Sequence, residues 1–260
     1  MTDLIDTSVF TGTWPFRAFR ERTPAALKAH LEPLGVGQAW VACAEAVLFP
    51  DPMQANEPLA EAVAGDRFFL PVAIIDPTLA TAGRDARTCL ERLGFRALKL
   101  VPNYHQYALG DARVAELVTV ASERDVPVCV QLRMMDERSH HPLMKVPAVP
   151  AEEVVTLAQK DPQARFLACG AYGHQLGLLR NAANVWAEIS FVESGQALVG
   201  AIQALGPDRL VFASHSPFFY FEAEVAKLGV PAEDVPPSVL QAIRHTNAEA
   251  LLGHRQPRRR

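Results

Sequence analysis

Short apolar runs rich in β-branched residues alternate along this chain with longer amphipathic stretches, and the alternation repeats eight times. The runs predict strands over 4–10, 38–44, 68–75, 95–101, 126–133, 164–170, 184–191 and 209–214. Amphipathic periodicity predicts helices over 24–33, 79–93, 111–124 and 151–159, and a terminal helix that opens at Pro236 and Pro237 and runs to Leu252. Strand and helix taking turns is the signature of repeated βα units around a parallel sheet. Eight such units in 260 residues fit a closed (β/α)8 barrel, an α/β TIM barrel, better than an open doubly wound sheet. No Gly/Ser-rich joint or low-complexity linker interrupts the pattern, so one domain is expected over 1–252, followed by a basic, disordered tail over 253–260. The longest irregular stretch, 134–150, carries three prolines and follows the fifth strand. In a barrel, a long βα loop lies over the C-terminal mouth, where the active site is kept.

Composition narrows the class. Hydrophobic residues make up 49% of the chain and the net charge is −4, so a large core is possible and a nucleic-acid partner is not expected. The terminal cluster Arg255, Arg258, Arg259 and Arg260 reads as a solvated end. No apolar stretch reaches the ~20 residues of a membrane span, and the N-terminus lacks the basic start and apolar core of a signal peptide. A cytoplasmic location, no membrane partner, a small-molecule substrate and possible homodimerisation are the expectations. Cys43, Cys89, Cys129 and Cys169 are widely spaced, three of them in apolar runs, and read as buried thiols rather than disulfides or a zinc cluster.

Side chains at the C-terminal ends of barrel strands converge on one mouth. Here they include Ser8, Phe10, Lys99, Gln131, Arg133, Cys169, Glu188, Ser214 and His215, with Arg17, Asn103, Tyr104, His105, Tyr107, Glu137, Arg138 and His141 on the loops above. His215 suits general acid/base work, since a free imidazole titrates near about 6.5. Lys99 could hold an anion, form a Schiff base, carry a carbamate if metal ligands stood beside it, or simply pair with Glu188 or Asp6. Arg17, Arg133 and Arg138 offer guanidinium forks for a carboxylate or phosphate, although Arg138 also has Asp136 and Glu137 for local partners.

Four segments resemble the amidohydrolase-2 group, in order along residues 4–252. They are Ile5 to Phe10, Phe95 to Pro102, Arg209 to Phe218 and Asn247 to Leu252. The resemblance implies the barrel fold and a hydrolytic or lyase-like activity. The group usually opens on Asp-x-His-x-His, whose imidazoles bind a divalent metal, and ends its eighth strand on an aspartate. At those positions this chain has Ser8, Phe10 and His215, and phenylalanine cannot ligate a metal. The segments Gly12 to Arg17, Asn103 to His105, Asp136 to Arg138 and Ser214 to Tyr220 resemble a branch of the group that shares this loss. No cofactor is therefore expected, the alternative being a divalent metal relocated to Asp136, Glu137 and His141.

The resulting expectation is an enzyme acting on a small, oxygen-rich, anionic substrate without the usual metal. His215, Glu188 and Lys99 would be catalytic. Arg17, Asn103, His105, Gln131, Arg133, Glu137, His141 and Tyr220 would bind substrate. The competing expectation is a catalytically inactive barrel that serves as a ligand-binding or regulatory protein.

Overall fold

The computed structural model of the chain describes residues 3–193 and 196–253. Eight parallel strands follow one another in space in the order of the sequence: β1 (Leu4–Thr11), β2 (Val36–Cys43), β3 (Phe69–Ile74), β4 (Ala97–Leu100), β5 (Val128–Gln131), β6 (Phe166–Cys169), β7 (Val185–Glu188) and β8 (Leu210–Val211). Helices cover the outside, and the chain is a single (β/α)8 barrel. The basic tail, apart from Gly253, lies outside the described residues.

Each strand forms where β-branched and aromatic residues can be buried on both faces, as parallel barrel strands require. All eight residues of β1 are buried. β8 is shorter than its apolar run suggests, and backbone and side-chain bonds together close its seam with β1 in place of a regular ladder. Thr7 donates from its N–H (3.0 Å) and its hydroxyl (2.9 Å) to the carbonyl of Phe212. Ser214 N–H donates to Asp6 Oδ1 at 2.9 Å, and Phe10 N–H to the carbonyl of Ser216 at 2.7 Å.

Local chemistry accounts for the helices that periodicity finds. Thr23 caps Pro24–Leu31 by accepting from Ala26 N–H, with Pro24 at the first turn, and Asp111 caps Ala112–Glu123 through Arg113 N–H. Ala82–Glu91 and Ala151–Lys160 also stand where expected. Besides the single turn Pro102–His105, four helices among the described residues escape the pattern: Met53–Val63, Gly173–Leu179, Ala197–Leu205 and Phe221–Ala226. Pro58 sits inside the first, glycines punctuate the second, apolar residues run right round the third, and the fourth has only six residues. The terminal helix is continuous but wound in three parts, Pro237–Gln241, a π-turn over Ala242–Thr246, and Asn247–Leu252. All four cysteines are free and buried. Among the described residues no helix is long and apolar enough to cross a membrane.

Candidate functional site

Ser8 and Phe10 of β1 turn to one face, where both meet Lys99, with a register shift against β2 between Asp6 and Val9. That face is the barrel interior, since Lys99 on the non-adjacent strand β4 donates from Nζ to Ser8 Oγ at 3.2 Å. Lys99 also donates to Gln131 Oε1 at 2.8 Å, lies 4.0 Å from Cys169 Sγ, and rests 4.6 Å above the centre of the Phe10 ring. It is 1% exposed. The simplest pairings, with Glu188 or Asp6, are not made. Glu188 is committed to backbone, accepting from Gly170 N–H at 2.5 Å and Ser190 N–H at 2.7 Å.

Asp6 is fully buried. Its Oδ1 accepts from Ser214 N–H, while Oδ2 has no partner. Burial pushes its carboxyl up to about 7, against the opposing pull of the Ser214 hydrogen bonds, and the charge of Glu188 adds to the rise. Asp6 was not among the residues singled out from sequence as carrying chemistry. Its position two residues before Ser8 on β1 is the sequence signal for it, although a register shift between Asp6 and Val9 interrupts strict alternation.

His215 takes a left-handed backbone conformation (φ 54°) and is fully buried. Its Nε2 is 2.7 Å from the carbonyl of Met134, which can only accept, so the ring proton sits on Nε2. Nδ1 is left with a free lone pair and no partner. Burial pushes the imidazole down to about 3, with the charge of Lys99 also lowering it. The expectation of a group titrating near neutrality is corrected accordingly: His215 is a neutral imidazole at physiological pH. Phe10, Phe191, Phe218 and Phe219 surround it with ring centroids 5.1, 5.1, 5.3 and 5.4 Å away, and Trp14 packs on Phe218. These rings roof the polar nest below.

Convergence on one mouth holds only in part, because Gly170 stands between two groups. Its N–H serves Glu188, and its carbonyl accepts from Arg133 Nη1. Gly170 has φ +80°, and a Cβ there would lie 2.8 Å from the Arg133 carbonyl, so only glycine fits. Arg133 is buried, donates also to Gln175 Oε1 (3.0 Å), lies 3.9 Å from the centre of the Tyr172 ring, and keeps an unpartnered Nε. Beside it opens a cavity of about 690 Å³ whose lining includes Glu137, Arg138, Tyr172, His174 and Phe191.

The remaining sequence candidates are not gathered at the nest. Arg17 donates to the Phe218 carbonyl and lies 5.8 Å from the ring centre of the exposed Tyr220 on the rim. Asn103 ties the long loop down, donating to the carbonyls of Leu132 (3.3 Å) and Pro147 (3.0 Å). His105 sits 4.0 Å from Asp76, its imidazole lowered by burial. His141 is exposed, accepts from Leu143 N–H, and stacks loosely on Phe16. The relocated metal site does not form. Asp136 is gripped at both oxygens by Arg138 (2.8 and 2.7 Å), which holds its carboxyl below the usual range, and His141 points elsewhere.

A sequence profile described as amidohydrolase matches residues 12–254. No curated protein matches the chain. Among solved structures, 5-carboxyvanillate decarboxylase from Sphingomonas paucimobilis superimposes with a TM-score of 0.73 at 15% identity, over 97% of this chain and 99% of that one. The 2,6-dihydroxybenzoate decarboxylase from Rhizobium gives 0.72 at 17%, over 97% and 99%. A dihydroxybenzoic acid decarboxylase from Polaromonas sp. JS666, with bound manganese and the inhibitor 2-nitroresorcinol, gives 0.72 at 17%, over 97% of each chain.

The manganese in that third barrel overturns the expectation of no cofactor: barrels of this fold do carry a divalent metal. At the strand ends stand Ser8, Phe10, Lys99, Gln131 and Cys169, and the amine of Lys99 occupies the centre. Among the described residues no three His, Cys, Asp or Glu side chains converge on a point that could hold a metal ion. This arrangement does not fit a divalent cation, and the chemistry below routes no step through one.

Proposed function

Because the chain belongs to the amidohydrolase family, we propose that it is a lyase or hydrolase acting on a small, oxygen-rich carboxylate bound at the strand ends of the barrel. The observation that carries this reading is Lys99. A buried amine whose oxygen partners are a hydroxyl and an amide has no counter-ion within the nest. Burying a charge without a partner is costly, and a substrate carboxylate is the complement that removes the cost.

Each neighbour then has a task. Gln131 holds the Lys99 tip, its own amide N–H fixed on the Arg133 carbonyl at 2.7 Å. Asp6, with a carboxyl near 7, can hold or release a proton at neutral pH. Loss of carbon dioxide from a carboxylate requires one proton at the carbon left behind, and Asp6 is the donor suited to supply it. His215 acts as an acceptor through Nδ1. Glu188 is a positioning residue that sets Gly170 and through it Arg133. Glu137 and Tyr172, on the flanking cavity, line the approach.

The test is a panel of small carboxylates, 2,6-dihydroxybenzoate and 5-carboxyvanillate among them, assayed for carbon dioxide release and substrate loss with metal-free and manganese-supplemented protein. Saturable turnover that disappears in Lys99→Met, with the melting curve retained, is the expected result. Binding of equal strength in Lys99→Met would overturn the reading. The complete aromatic roof favours a second reading, a barrel that binds without turnover, and saturable binding with no product under either metal condition would select it.

A further inference from the structure

At the C-terminal ends of β5, β6 and β7, three connections enclose the cavity of about 690 Å³ that lies beside Arg133. Its volume is within the about 300–1,000 Å³ usual for ligand pockets. The loop after β5 brings Asp136, Glu137 and Arg138, the segment after β6 brings Tyr172 and His174, and the segment after β7 brings Phe191 and Glu193. One wall is made of small residues on the helix Ala197–Leu205, where a Cβ added at Gly200 would meet nothing within 4 Å. Tyr172 and Phe191 form an apolar corner, their rings 6.1 Å apart at 63°. Arg138 spends Nε and Nη2 on Asp136, and Nη2 also lies 3.5 Å from Glu193. Among the described residues, Arg138 Nη1, the Glu137 carboxylate and the His174 imidazole have no hydrogen-bond partner.

These groups select an occupant by what they offer. A carboxylate only accepts hydrogen bonds and a guanidinium only donates them, so the occupant that satisfies both carries groups that do both, as hydroxyls do. Three carboxylates against the single guanidinium of the lining disfavour an anion. A cation gains little from the rings, because the Arg133 guanidinium already lies 3.9 Å from the centre of Tyr172 and 6.0 Å from that of Phe191. What the corner leaves on offer is apolar contact for a C–H face. We propose that the cavity is a saccharide site, taking a neutral pyranose whose hydroxyls donate to Glu137 and Glu193 and accept from Arg138 while its C–H face lies against Tyr172 and Phe191. Phe191 is the partition between this site and the nest, since the same ring is 5.1 Å from His215. Occupancy of the cavity requires no turnover at Lys99.

The experiment titrates the full chain with the methyl glycosides of glucose, galactose, mannose and xylose, with choline and benzoate as charged comparators, and reads saturation-transfer NMR and titration calorimetry. Saturable binding of at least one glycoside is expected, tighter than either comparator, with saturation strongest on the protons of one sugar face. Gly200→Leu fills the cavity from an exposed helix position and should abolish that binding with the melting curve retained. Glu137→Gln, on an exposed loop, should weaken it about tenfold, the scale of one hydrogen bond to a charged group. Lys99→Met should leave it unchanged, so that failure of the saccharide site and failure of the carboxylate reading are told apart. Absence of saturable binding by every glycoside would overturn the proposal, as would undiminished binding in Gly200→Leu or in Glu137→Gln. Tighter binding of choline or benzoate in the cavity would also overturn it, and so would loss of glycoside binding in Lys99→Met, which would put the sugar in the nest.

Discussion

Replacing Asp6 by asparagine isolates the most perturbed acid of the nest. Asparagine preserves the shape and the acceptor that Ser214 N–H uses, and it places an amide where the unpartnered Oδ2 now lies. What it removes is a proton equilibrium. The carboxyl is raised from 3.8 to about 7 on folding. Its stabilising contribution is therefore fully present below about pH 4 and is lost as pH rises through about 7. Between pH 5 and pH 8 the wild type should lose about 2–3 kcal/mol from this group alone, at about 1.4 kcal/mol per pH decade of differential ionisation. His215 works in the opposite sense. Lowered from 6.5 to about 3, it stabilises the fold above about pH 6.5, and that contribution falls away with decreasing pH. The two partly cancel in the wild type, so the readout is the difference between wild type and Asp6→Asn in urea unfolding at pH 5 and pH 8. The variant should gain about 2–3 kcal/mol on the wild type between those pH values. Equal pH dependence in both proteins would show that Asp6 does not titrate as a buried, raised acid.

Other perturbations test the surroundings of the nest. Phe10→Ala removes a fully buried ring in edge contact with His215 and Phe218 and should cost about 3–5 kcal/mol in chemical denaturation; a loss under 1 kcal/mol would mean the roof is loosely packed. Gly170→Ala forces a side chain onto φ +80° against the Arg133 carbonyl and should cost at least about 1–3 kcal/mol of strain; an unchanged melting temperature would contradict that contact. Asn103→Ala should leave the global stability within about 1 kcal/mol while speeding proteolytic cleavage in residues 134–150, whose tether it removes.

Much of the barrel was legible because burial on both faces leaves a mark in sequence. Every predicted strand is present, and β4 and β5 deliver Lys99 and Gln131 to a shared interior as their registers require. What was illegible depends on who stands beside whom. Lys99 without a carboxylate, Glu188 spent on backbone amides, and Arg133 kept apart from Glu188 by Gly170 are facts of tertiary contact between residues 18 to 91 positions apart. Phe218 and Phe219 stand three and four residues after His215, but the shell that strips its water is completed by Phe10 and Phe191 from distant parts of the chain, which no local pattern announces. The helix Met53–Val63 was missed through Pro58, a residue that argues against a helix in any local reading. The expected absence of a cofactor rests on missing ligands alone, and a manganese-bearing barrel of the same fold overturns it.

The seam between β8 and β1 gives the barrel a hoop with a clasp. Elsewhere neighbouring strands are stitched by successive backbone bonds, but here the closure runs through Thr7, the Phe10 amide and the carboxylate of Asp6 holding the Ser214 amide. Amides at such a clasp exchange with solvent deuterium by local opening, at a lower free-energy cost than amides inside a full ladder. Since one of the fasteners is also the acid of the nest, the ease with which the hoop opens at Ser214 is tied to the charge that Asp6 carries. Exchange at that amide should therefore track Asp6 ionisation, giving this barrel a mechanical property that varies with the protonation of its own interior.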